Sequence, residues 1–504
     1  MLGVVAACAL SPRSLSPAVS GNEQVYMPLL MRQSDRSLLS HDWTIARLAP
    51  DRPLFNLLFR PLTATGSWSL VAWSGRFIGW TLLGVAVVCF LGGLGVRSAG
   101  VVTIIAVVWL TNRLSSVAGE WVAGTFEAKT FAYAALFAML WALGDNRLVL
   151  AGLLGGVAFS LHNVVGFWTL VILGACVLAL RPPRRVIGRL ALATFVAAAP
   201  SMPAMIRYLG SGTDNSSADT RIVTRHAMSF HLDPAQFTRR GTALLAALFA
   251  TGIVLRQIQA RATPQRSQSW RVLAIAELVS AVVFAGGFVL RVLNLDSLLL
   301  SMPFRIGSVI IPVGALARLA DVLGSAWRSE HRPLRAVASI GAPAAVLLLL
   351  AAGSAEDGLG VTARLTASRQ HYDAVVDDTG RAFAWGRTHL PTDAVVAAPP
   401  NRKDAYSSLR RSSVASVFNI PLDALPQWRA RMFDLSGLAM ENLSGYELAR
   451  RLGRGFSRQP FDVVTTWRER YHVTQVITTA DYPLRVLFRS GDVRVYQVEP
   501  PGGS

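Results

Sequence analysis

Long apolar runs, separated by short polar segments, fill the first 353 residues of the chain. A transmembrane helix needs about 20 mostly apolar residues. The segment from Met1 to about Ser20 is interrupted by Pro12 and Arg13, and no basic stretch precedes it, so we expect a first helix rather than a cleaved signal. With it, the pattern predicts an α-helical polytopic membrane protein of about 10–11 transmembrane helices. The other ten segments are 77–96, 98–113, 129–144, 147–163, 164–181, 186–206, 241–257, 271–293, 298–319 and 336–353.

The hydrophobic pattern changes after residue 353, where we place a domain boundary. "DAVVAAPP" (393–400) and "VTQVITTA" (473–480) are short apolar runs typical of buried strands, and "DVRVYQVEP" (492–500) alternates as a half-buried strand does. Two segments with helical spacing, "LDALPQWRARMFDL" and "GYELARRLGRGF", lie between them. Strands that alternate with helices predict a C-terminal soluble α/β domain over residues 354–504, in addition to the transmembrane domain over residues 1–353.

Composition and charge narrow the class of partner. Of the 504 residues, 52% are hydrophobic and 16% are charged, whereas soluble domains carry about 25% charged residues. The net charge of +19 is almost wholly arginine, because Lys129 and Lys403 are the only lysines. No nucleic-acid-binding module accompanies this charge, so we expect a lipid bilayer and a phosphate-bearing lipid as partners, and no nucleic acid. Cys8, Cys89 and Cys176 lie in apolar runs without metal or disulfide spacing.

Arginines in short loops indicate how the chain is oriented. Segments 181–185, 256–271 and 318–335 carry three, four and four arginines and fall on one side by helix parity. We therefore expect a multi-pass protein of the bacterial plasma (inner) membrane, with a cytoplasmic N-terminus and an extracytoplasmic C-terminal domain. Four arginines between 208 and 240 do not follow this rule. The predicted outer loops are 21–67, 114–128 and 208–240.

The first outer loop contains two candidate catalytic acids. Glu23 follows the first apolar segment, and a carboxylate at a membrane boundary can take a proton from a hydroxyl nucleophile. Asp42 stands beside Trp43, an aromatic residue typical of the headgroup level. The alternative for Glu23 is a capping or interfacial role, and the alternative for Asp42-Trp43 is an anchor at the headgroup level.

The second outer loop is also acidic. "GEWVAGTFEAKTFAY" (119–133) places Glu120 and Glu127 about two helical turns apart, with Lys129 close behind. Two carboxylates could bind a divalent cation through their oxygens, so a metal is left open as a cofactor. Equally, Glu127 and Lys129 could mark the water end of a helix.

Two further residues are candidates for substrate binding. His162, in "FSLHNVVGFW", is a group that titrates near neutral pH, although a histidine at a helix end is more often a packing residue. Arg305, in "LLLSMPFRIGSVIIP", is surrounded by apolar residues and needs an anionic partner. That partner is either a substrate or lipid phosphate, which suits the guanidinium fork, or a carboxylate such as Glu277.

The stretch "NEQVYMPLLMRQSDRSLLSHDW" resembles the first outer loop of the GT-C superfamily of polytopic glycosyltransferases, most closely its aminoarabinose-transferase and protein mannosyltransferase branch. In that match Glu23 stands for the catalytic base, Tyr26 for the motif tyrosine and Asp42-Trp43 for the later pair. Many relatives carry an acidic pair in this loop, whereas Asn22 precedes Glu23 here. The stretch from Glu127 to Trp168 also resembles uncharacterised bacterial multi-pass families that contain a domain of unknown function.

The resemblance implies that a sugar is transferred from a polyisoprenyl-phosphate donor to an acceptor of the cell envelope. Glu23 would accept the proton of the acceptor hydroxyl, and Arg305, with Lys129 or His162, would stabilise the departing phosphate. A transporter or flippase is one alternative, and a non-enzymatic envelope scaffold is another. Charges along a path through the middle of the membrane would favour transport, and an outward-opening cavity around Glu23 would favour the enzyme. The absence of any cavity would favour the scaffold.

Overall fold

The computed structural model describes residues 18–48, 52–96, 100–101, 104–105, 108, 117–120, 122–211, 215–262, 267–328 and 377–498. These residues form a mostly helical body and a small C-terminal sheet, as expected for a helical membrane protein with an α/β appendage. Residues 1–17 of the predicted first helix, the predicted last helix at 336–353 and the predicted domain boundary lie outside the described residues.

Helices make up the described part of the chain up to residue 328. They are α1 (Glu23–Met31), α2 (Trp43–Leu48), α3 (Pro53–Thr63), α4 (Trp68–Gly93), α5 (Ala128–Gly144), α6 (Leu148–Leu161), α7 (Asn163–Leu180), α8 (Arg184–Ala198), α9 (Met202–Ser211), α10 (Ser217–Ile222), α11 (Ser229–Leu232), α12 (Arg239–Ala262), α13 (Gln268–Val292), α14 (Asp296–Leu299) and α15 (Phe304–Arg328).

Several of these helices are suited to a membrane. Among the described residues, five helical segments are long and apolar enough to cross one, and α5 and α6 are shorter apolar helices. The five are Trp68–Gly93, Asn163–Leu180, Arg184–Arg207, Arg239–Ala260 and Gln268–Val292.

Two predicted helix starts were wrong. Helix α4 begins at Trp68 instead of residue 77, because Arg76, which broke the apolar pattern, is paired inside the protein. Helix α15 begins at Phe304 instead of residue 298. Met302 has a left-handed φ of 53°, and Pro303 has no backbone N–H to continue a helix from α14.

Glycines allow α6, α7 and α8 to pack closely. A Cβ atom at Gly166 of α7 would lie 2.0 Å from the Cα atom of Phe159 in α6. A Cβ atom at Gly156 of α6 would lie 2.3 Å from the carbonyl oxygen of Thr194 in α8. The backbones meet directly at these points, and the α6–α7 turn holds His162 at one end of the bundle.

The C-terminal unit is built around a five-stranded sheet of order β2-β1-β3-β5-β4. Strands β2, β1 and β3 are parallel, whereas β5 pairs antiparallel with β3 and β4. The predicted strands at 393–400, 473–480 and 492–500 are confirmed as β1, β3 and β5. Its elements are α16 (Asp378–His389), β1 (Val395–Ala397), β2 (Ser412–Ser413), α17 (Leu425–Ser436), α18 (Gly445–Phe456), α19 (Asp462–Tyr471), β3 (Gln475–Thr478), β4 (Val486–Ser490) and β5 (Val493–Gln497).

Both faces of this sheet are covered. Phe383 of α16 belongs to the apolar cluster on one face, whereas Trp428 of α17 and Trp467 of α19 are buried in the cluster on the other. The second cluster also contains Val223 and Ala227, which follow α10 in the helical body. The core of the C-terminal unit therefore includes side chains from the loop between α10 and α11.

Candidate functional site

A cavity of about 1310 Å³ lies between the helical body and the C-terminal unit, and we call it the interface cavity. Its walls come from the first loop, the second acidic loop, the α6–α7 turn, α9, the segment around α11 and the segment from α14 to the start of α15. The C-terminal unit adds Lys403 and the loops on either side of α17. The wall combines apolar side chains with six basic and four acidic ones. The basic residues are Arg47, Arg52, Lys129, Arg207, Arg305 and Lys403, and the acidic residues are Glu120, Glu127, Asp423 and Glu447.

Glu120, Glu127 and Lys129 meet at the cavity wall. Lys129 Nζ lies 3.7 Å from Oε1 of Glu120 and 3.4 Å from Oε2 of Glu127. The Tyr133 hydroxyl donates to Glu120 Oε1 at 3.2 Å, and Asn22 Nδ2 donates to Glu127 Oε2 at 3.1 Å. The two acids are not two turns apart on one helix, as the sequence suggested. Glu120 precedes an irregular loop and Glu127 lies directly before α5, so the loop folds both acids onto Lys129.

Arg305 approaches the same acidic pair from α15. Its Nε atom lies 3.1 Å from Oε2 of Glu120, and both side chains are buried. Neither of these two atoms makes a hydrogen bond within the described residues, because the angles between them are poor. The suggested alternative partner, Glu277, pairs with Arg318 instead. Arg305 is thus a second cation beside Glu120, in addition to Lys129.

The acidic pair does not fit a divalent metal ion. Lys129 already lies between the two carboxylates, where a cation would bind both of them. Among the described residues, no three His, Cys, Asp or Glu side chains are grouped as metal ligands. Divalent cations in proteins take six or more oxygen ligands, or four with mixed ligands, and with Lys129 in place this wall supplies too few.

Glu23, the predicted base, is not part of the cavity wall. Arg76 donates to both of its oxygens, from Nε at 2.7 Å and from Nη2 at 2.6 Å. The backbone N–H of Phe126 adds a bond of 2.6 Å, and that of Ser20 adds one of 3.2 Å. The side chains of Glu23 and Arg76 are both 0% exposed. This geometry fixes the second acidic loop against α1 and α4, and it occupies both carboxylate oxygens.

Asp42, the second predicted acid, is also buried outside the wall. Its Oδ1 atom accepts from the Ile45 backbone N–H at 2.8 Å, which caps the first turn of α2. Its Oδ2 atom accepts from the backbone N–H of Ser413 at 2.7 Å. Burial raises the pKa of Asp42 to about 6, although these hydrogen bonds and Arg431 act in the opposite direction. Asp42 thus joins the first loop of the helical body to β2 of the C-terminal unit.

Tyr26 and His162, two of the residues expected to bind substrate, line the interface cavity. The guanidinium of Arg52 stacks over the Tyr26 ring at 3.9 Å from its centroid. His162 Nδ1 accepts from the Val165 backbone N–H at 3.3 Å and so caps α7. This capping contact is by itself enough to account for a histidine at position 162.

Sequence reasoning missed four basic residues of the wall: Arg47, Arg52, Arg207 and Lys403. The position of Arg207 could have been predicted, because it ends an apolar helix at the same end of the bundle as Arg305. Lys403 is one of only two lysines, and both line this cavity. No feature of the sequence pointed to Arg47 or Arg52, because the hydrophobic pattern does not show which loops come together in the fold.

Comparison with family models and with curated proteins identifies no relative of this chain. No family model matches the chain, and no curated protein matches it. The case for a function therefore rests on the chemistry of the interface cavity and on the resemblance of the first loop.

Proposed function

We propose that the chain is a multi-pass membrane glycosyltransferase, which transfers a sugar from a polyisoprenyl phosphate to an envelope acceptor. The observation that carries the proposal is the interface cavity, which brings phosphate-binding cations, two carboxylates and an apolar flank into one volume. The reaction takes place at the outer face of the plasma membrane, in a protein of ten or eleven transmembrane helices. The resemblance of the first loop to GT-C enzymes supports the same reaction class.

The donor is a lipid with a charged head, and the cavity suits both parts. Arg305 offers a planar fork for the phosphate, and charge-assisted hydrogen bonds of this kind are strong. The apolar flank includes Phe167 and Leu298, which line the cavity and are 37% and 55% exposed. An isoprenoid chain can extend past them into the bilayer. The volume of about 1310 Å³ exceeds the 300–1,000 Å³ of ordinary ligand pockets, and it leaves room for a sugar phosphate and the first isoprene units.

Glu120 is the carboxylate best placed to accept the proton. Its Oε2 atom faces Arg305 and accepts no hydrogen bond in the described part of the chain. A phosphate that binds Arg305 draws this cation from Glu120, which leaves the Oε2 atom open to the acceptor hydroxyl. The acceptor oxygen bonds to C1 of the sugar as the C1–O bond to phosphate breaks. The proton passes to Glu120, and the polyisoprenyl phosphate leaves with the electron pair.

The two alternatives fit the structure less well. A transporter needs charges along a path through the helices, whereas the described pair Glu277 and Arg318 lies away from the interface cavity and its members bind each other. A scaffold has no need of a large cavity whose wall holds two buried carboxylates and six cations. Charged groups buried in this way mark ligand sites more often than structural ones.

The first experiment measures binding of a long-chain polyisoprenyl phosphate, the leaving group shared by every candidate donor. Full-length wild type, Arg305→Gln and Glu469→Gln are compared in phosphatidylcholine nanodiscs. Glu469 is exposed on α19, far from the cavity wall, and serves as the matched control. We expect Arg305→Gln to bind about ten-fold more weakly or worse, because a hydrogen bond to a charged group contributes about 1.5–3 kcal/mol. Equal binding by all three proteins would contradict the proposal.

The second experiment separates the base from the binding residues. Release of polyisoprenyl phosphate is followed from a panel of polyisoprenyl-phosphate sugars with an envelope extract as the source of acceptor. We expect Glu120→Gln to lose turnover by about 10²–10⁴-fold, the usual contribution of a general base, while it still binds the product. Unchanged turnover in Glu120→Gln would remove Glu120 from this role.

A further inference from the structure

The C-terminal unit contains a second cavity of about 570 Å³, which we call the arginine crevice. It lies beyond the carboxyl ends of β1 and β3, between the loop after β1 and the end of α18. No acidic side chain lines it within the described residues. The lining consists of Thr379, Pro399, Asn401, Arg402, Arg450, Gly453, Arg454, Ser457, Arg458, Ile477, Thr478, Thr479 and Val493.

The topology of the sheet makes this a natural place for a ligand. Strands β1 and β3 are parallel neighbours. The chain runs from β1 to β2 on one side, whereas it continues from β3 to β4 and β5 on the other. Open α/β sheets bind ligands in the crevice outside the carboxyl ends of strands where the connections diverge in this way. The crevice occupies that position.

The charge of the crevice calls for an anion. Arg450, Arg454 and Arg458 are spaced four residues apart along α18 and its continuation, so they lie on one side. Arg450 pairs with Glu447, but Arg454 and Arg458 form no ion pair with any residue that the structure describes. Two guanidinium groups therefore contribute positive charge that no neighbouring carboxylate neutralises.

A fourth arginine is held in place at the opposite wall. Asp404 accepts from Arg402 Nε at 2.8 Å and from Nη2 at 2.6 Å, and Asp377 accepts from Nη1. These bonds fix the guanidinium in one orientation, and the Arg402 pKa is raised above its usual value by Asp404 and Asp377 despite burial. The crevice thus has a fixed, ion-paired guanidinium on one wall and two arginines without an ion pair among the described residues on the other.

Neutral polar groups complete the lining. Thr478 is buried at the end of β3, and Thr479 follows it. Asn401 reaches α18 at Gly453, where a Cβ atom would lie 2.4 Å from the Asn401 side chain. Only glycine lets the Asn401 amide take this position. Amide and hydroxyl groups beside a cationic wall suit a ligand that carries hydroxyl groups as well as a phosphate.

We propose that the arginine crevice binds a phosphorylated, hydroxyl-rich ligand of the size of a sugar phosphate, either free or as a lipid headgroup. Arg454 and Arg458 bind the phosphate, and Asn401, Thr478 and Thr479 bind hydroxyl groups of the attached sugar or glycerol. The site is separate from the interface cavity, and the two cavities share no lining residue. The proposal therefore does not rest on the glycosyltransferase function, and its test uses binding alone.

The test measures equilibrium binding of radiolabelled glucose 1-phosphate to the full-length protein in phosphatidylcholine nanodiscs. Wild type is compared with Arg454→Gln/Arg458→Gln and with Arg451→Gln. Arg451 lies on the same helix and is exposed, but it pairs with Glu447 and does not line the crevice. We expect saturable binding to wild type, competition by inorganic phosphate but not by glucose, and unchanged binding by Arg451→Gln. The double variant should bind at least about ten-fold more weakly, because two charge-assisted hydrogen bonds are lost.

A second variant tests the neutral wall without changing any charge. Gly453→Ala displaces Asn401, so it should weaken glucose 1-phosphate more than inorganic phosphate. Nanodiscs that contain phosphatidylglycerol test the source of the ligand. If this lipid competes with glucose 1-phosphate, the ligand is a lipid headgroup, and if it does not compete, the ligand is free. The proposal is overturned if wild type shows no saturable binding, or if Arg451→Gln loses as much affinity as the double variant.

Discussion

The Asp42 carboxylate accepts a 2.7 Å hydrogen bond from the backbone N–H of Ser413, so the first loop is attached to edge strand β2 of the C-terminal sheet. Beside it, the guanidinium of Arg431 stacks over the Trp43 ring at 4.4 Å. Both contacts join the helical body to the C-terminal unit. The predicted Asp-Trp pair therefore has an architectural role in this structure.

The buried carboxyl of Asp42 should make stability depend on pH. Its pKa is raised from 3.8 to about 6 by burial, so the folded state holds this proton more tightly than the unfolded chain. The contribution is therefore fully present below about pH 4, is lost as the pH rises to about 6, and stays lost above it. The whole change amounts to about 3 kcal/mol. We expect Asp42→Asn to lack this component.

The measurement is the apparent melting temperature of each detergent-solubilised protein between pH 4 and pH 7. The difference between wild type and Asp42→Asn should change between about pH 4 and 6 and remain constant above. Asp35→Asn is the control, because Asp35 is an exposed acid of the same loop. Parallel curves for wild type and Asp42→Asn would show that Asp42 titrates normally.

Variants of Glu23 and Arg76 can distinguish a structural role of the Glu23 carboxylate from a catalytic one. Glu23→Gln leaves Arg76 buried without an anion, and such losses cost about 3–5 kcal/mol. The double variant Glu23→Gln/Arg76→Met removes both charges and should recover most of this stability. We expect the double variant, once folded, to retain turnover of polyisoprenyl-phosphate sugars. Recovered stability without turnover would return Glu23 to the role of base that the first loop predicts.

Lys129 should be replaceable by a metal ion. Lys129→Gln leaves the carboxylates of Glu120 and Glu127 side by side without the cation that lies 3.7 and 3.4 Å from them. Millimolar Ca²⁺ should then raise the apparent melting temperature of the variant, because like charges in a buried site attract a divalent ion. Wild type and Lys403→Gln, whose lysine lies over the Phe418 ring, should show no such rise. An equal rise in all three proteins would contradict the prediction.

Gly166 and Gly174 form a matched pair within α7. Alanine at 166 would place a Cβ atom 2.0 Å from the Cα of Phe159, whereas nothing lies within 4 Å of a Cβ at 174. We expect Gly166→Ala to lower the free energy of unfolding by about 1–3 kcal/mol or more, because backbone cannot move aside cheaply. Gly174→Ala should be neutral or slightly stabilising, since alanine favours helix. Thermal unfolding of both variants in detergent tests this prediction. Equal melting temperatures would contradict tight packing between α6 and α7.

The sequence predicted those parts of the molecule that depend on local pattern and on the cost of burying charge. Apolar runs located the helices, and alternation located β5. Arg305 was expected to need an anion, and it lies next to Glu120. The partner of Glu23 was missed, because the predicted helix began at residue 77, directly after Arg76, whereas Arg76 lies inside α4. The contact of Asp42 with Ser413 spans 371 residues, and no periodicity encodes such a distance.

The shared apolar core of the C-terminal unit has a consequence for how the chain is made. Val223 and Ala227 belong to the helical body, yet they pack in the same core as Leu448. Residues 377–498, expressed alone, would expose the patch that these side chains cover, and exposed apolar patches favour aggregation. The order of synthesis avoids this hazard, because the loop that completes the core leaves the ribosome before the strands that need it. The last part of the chain therefore folds onto a template already held in the membrane.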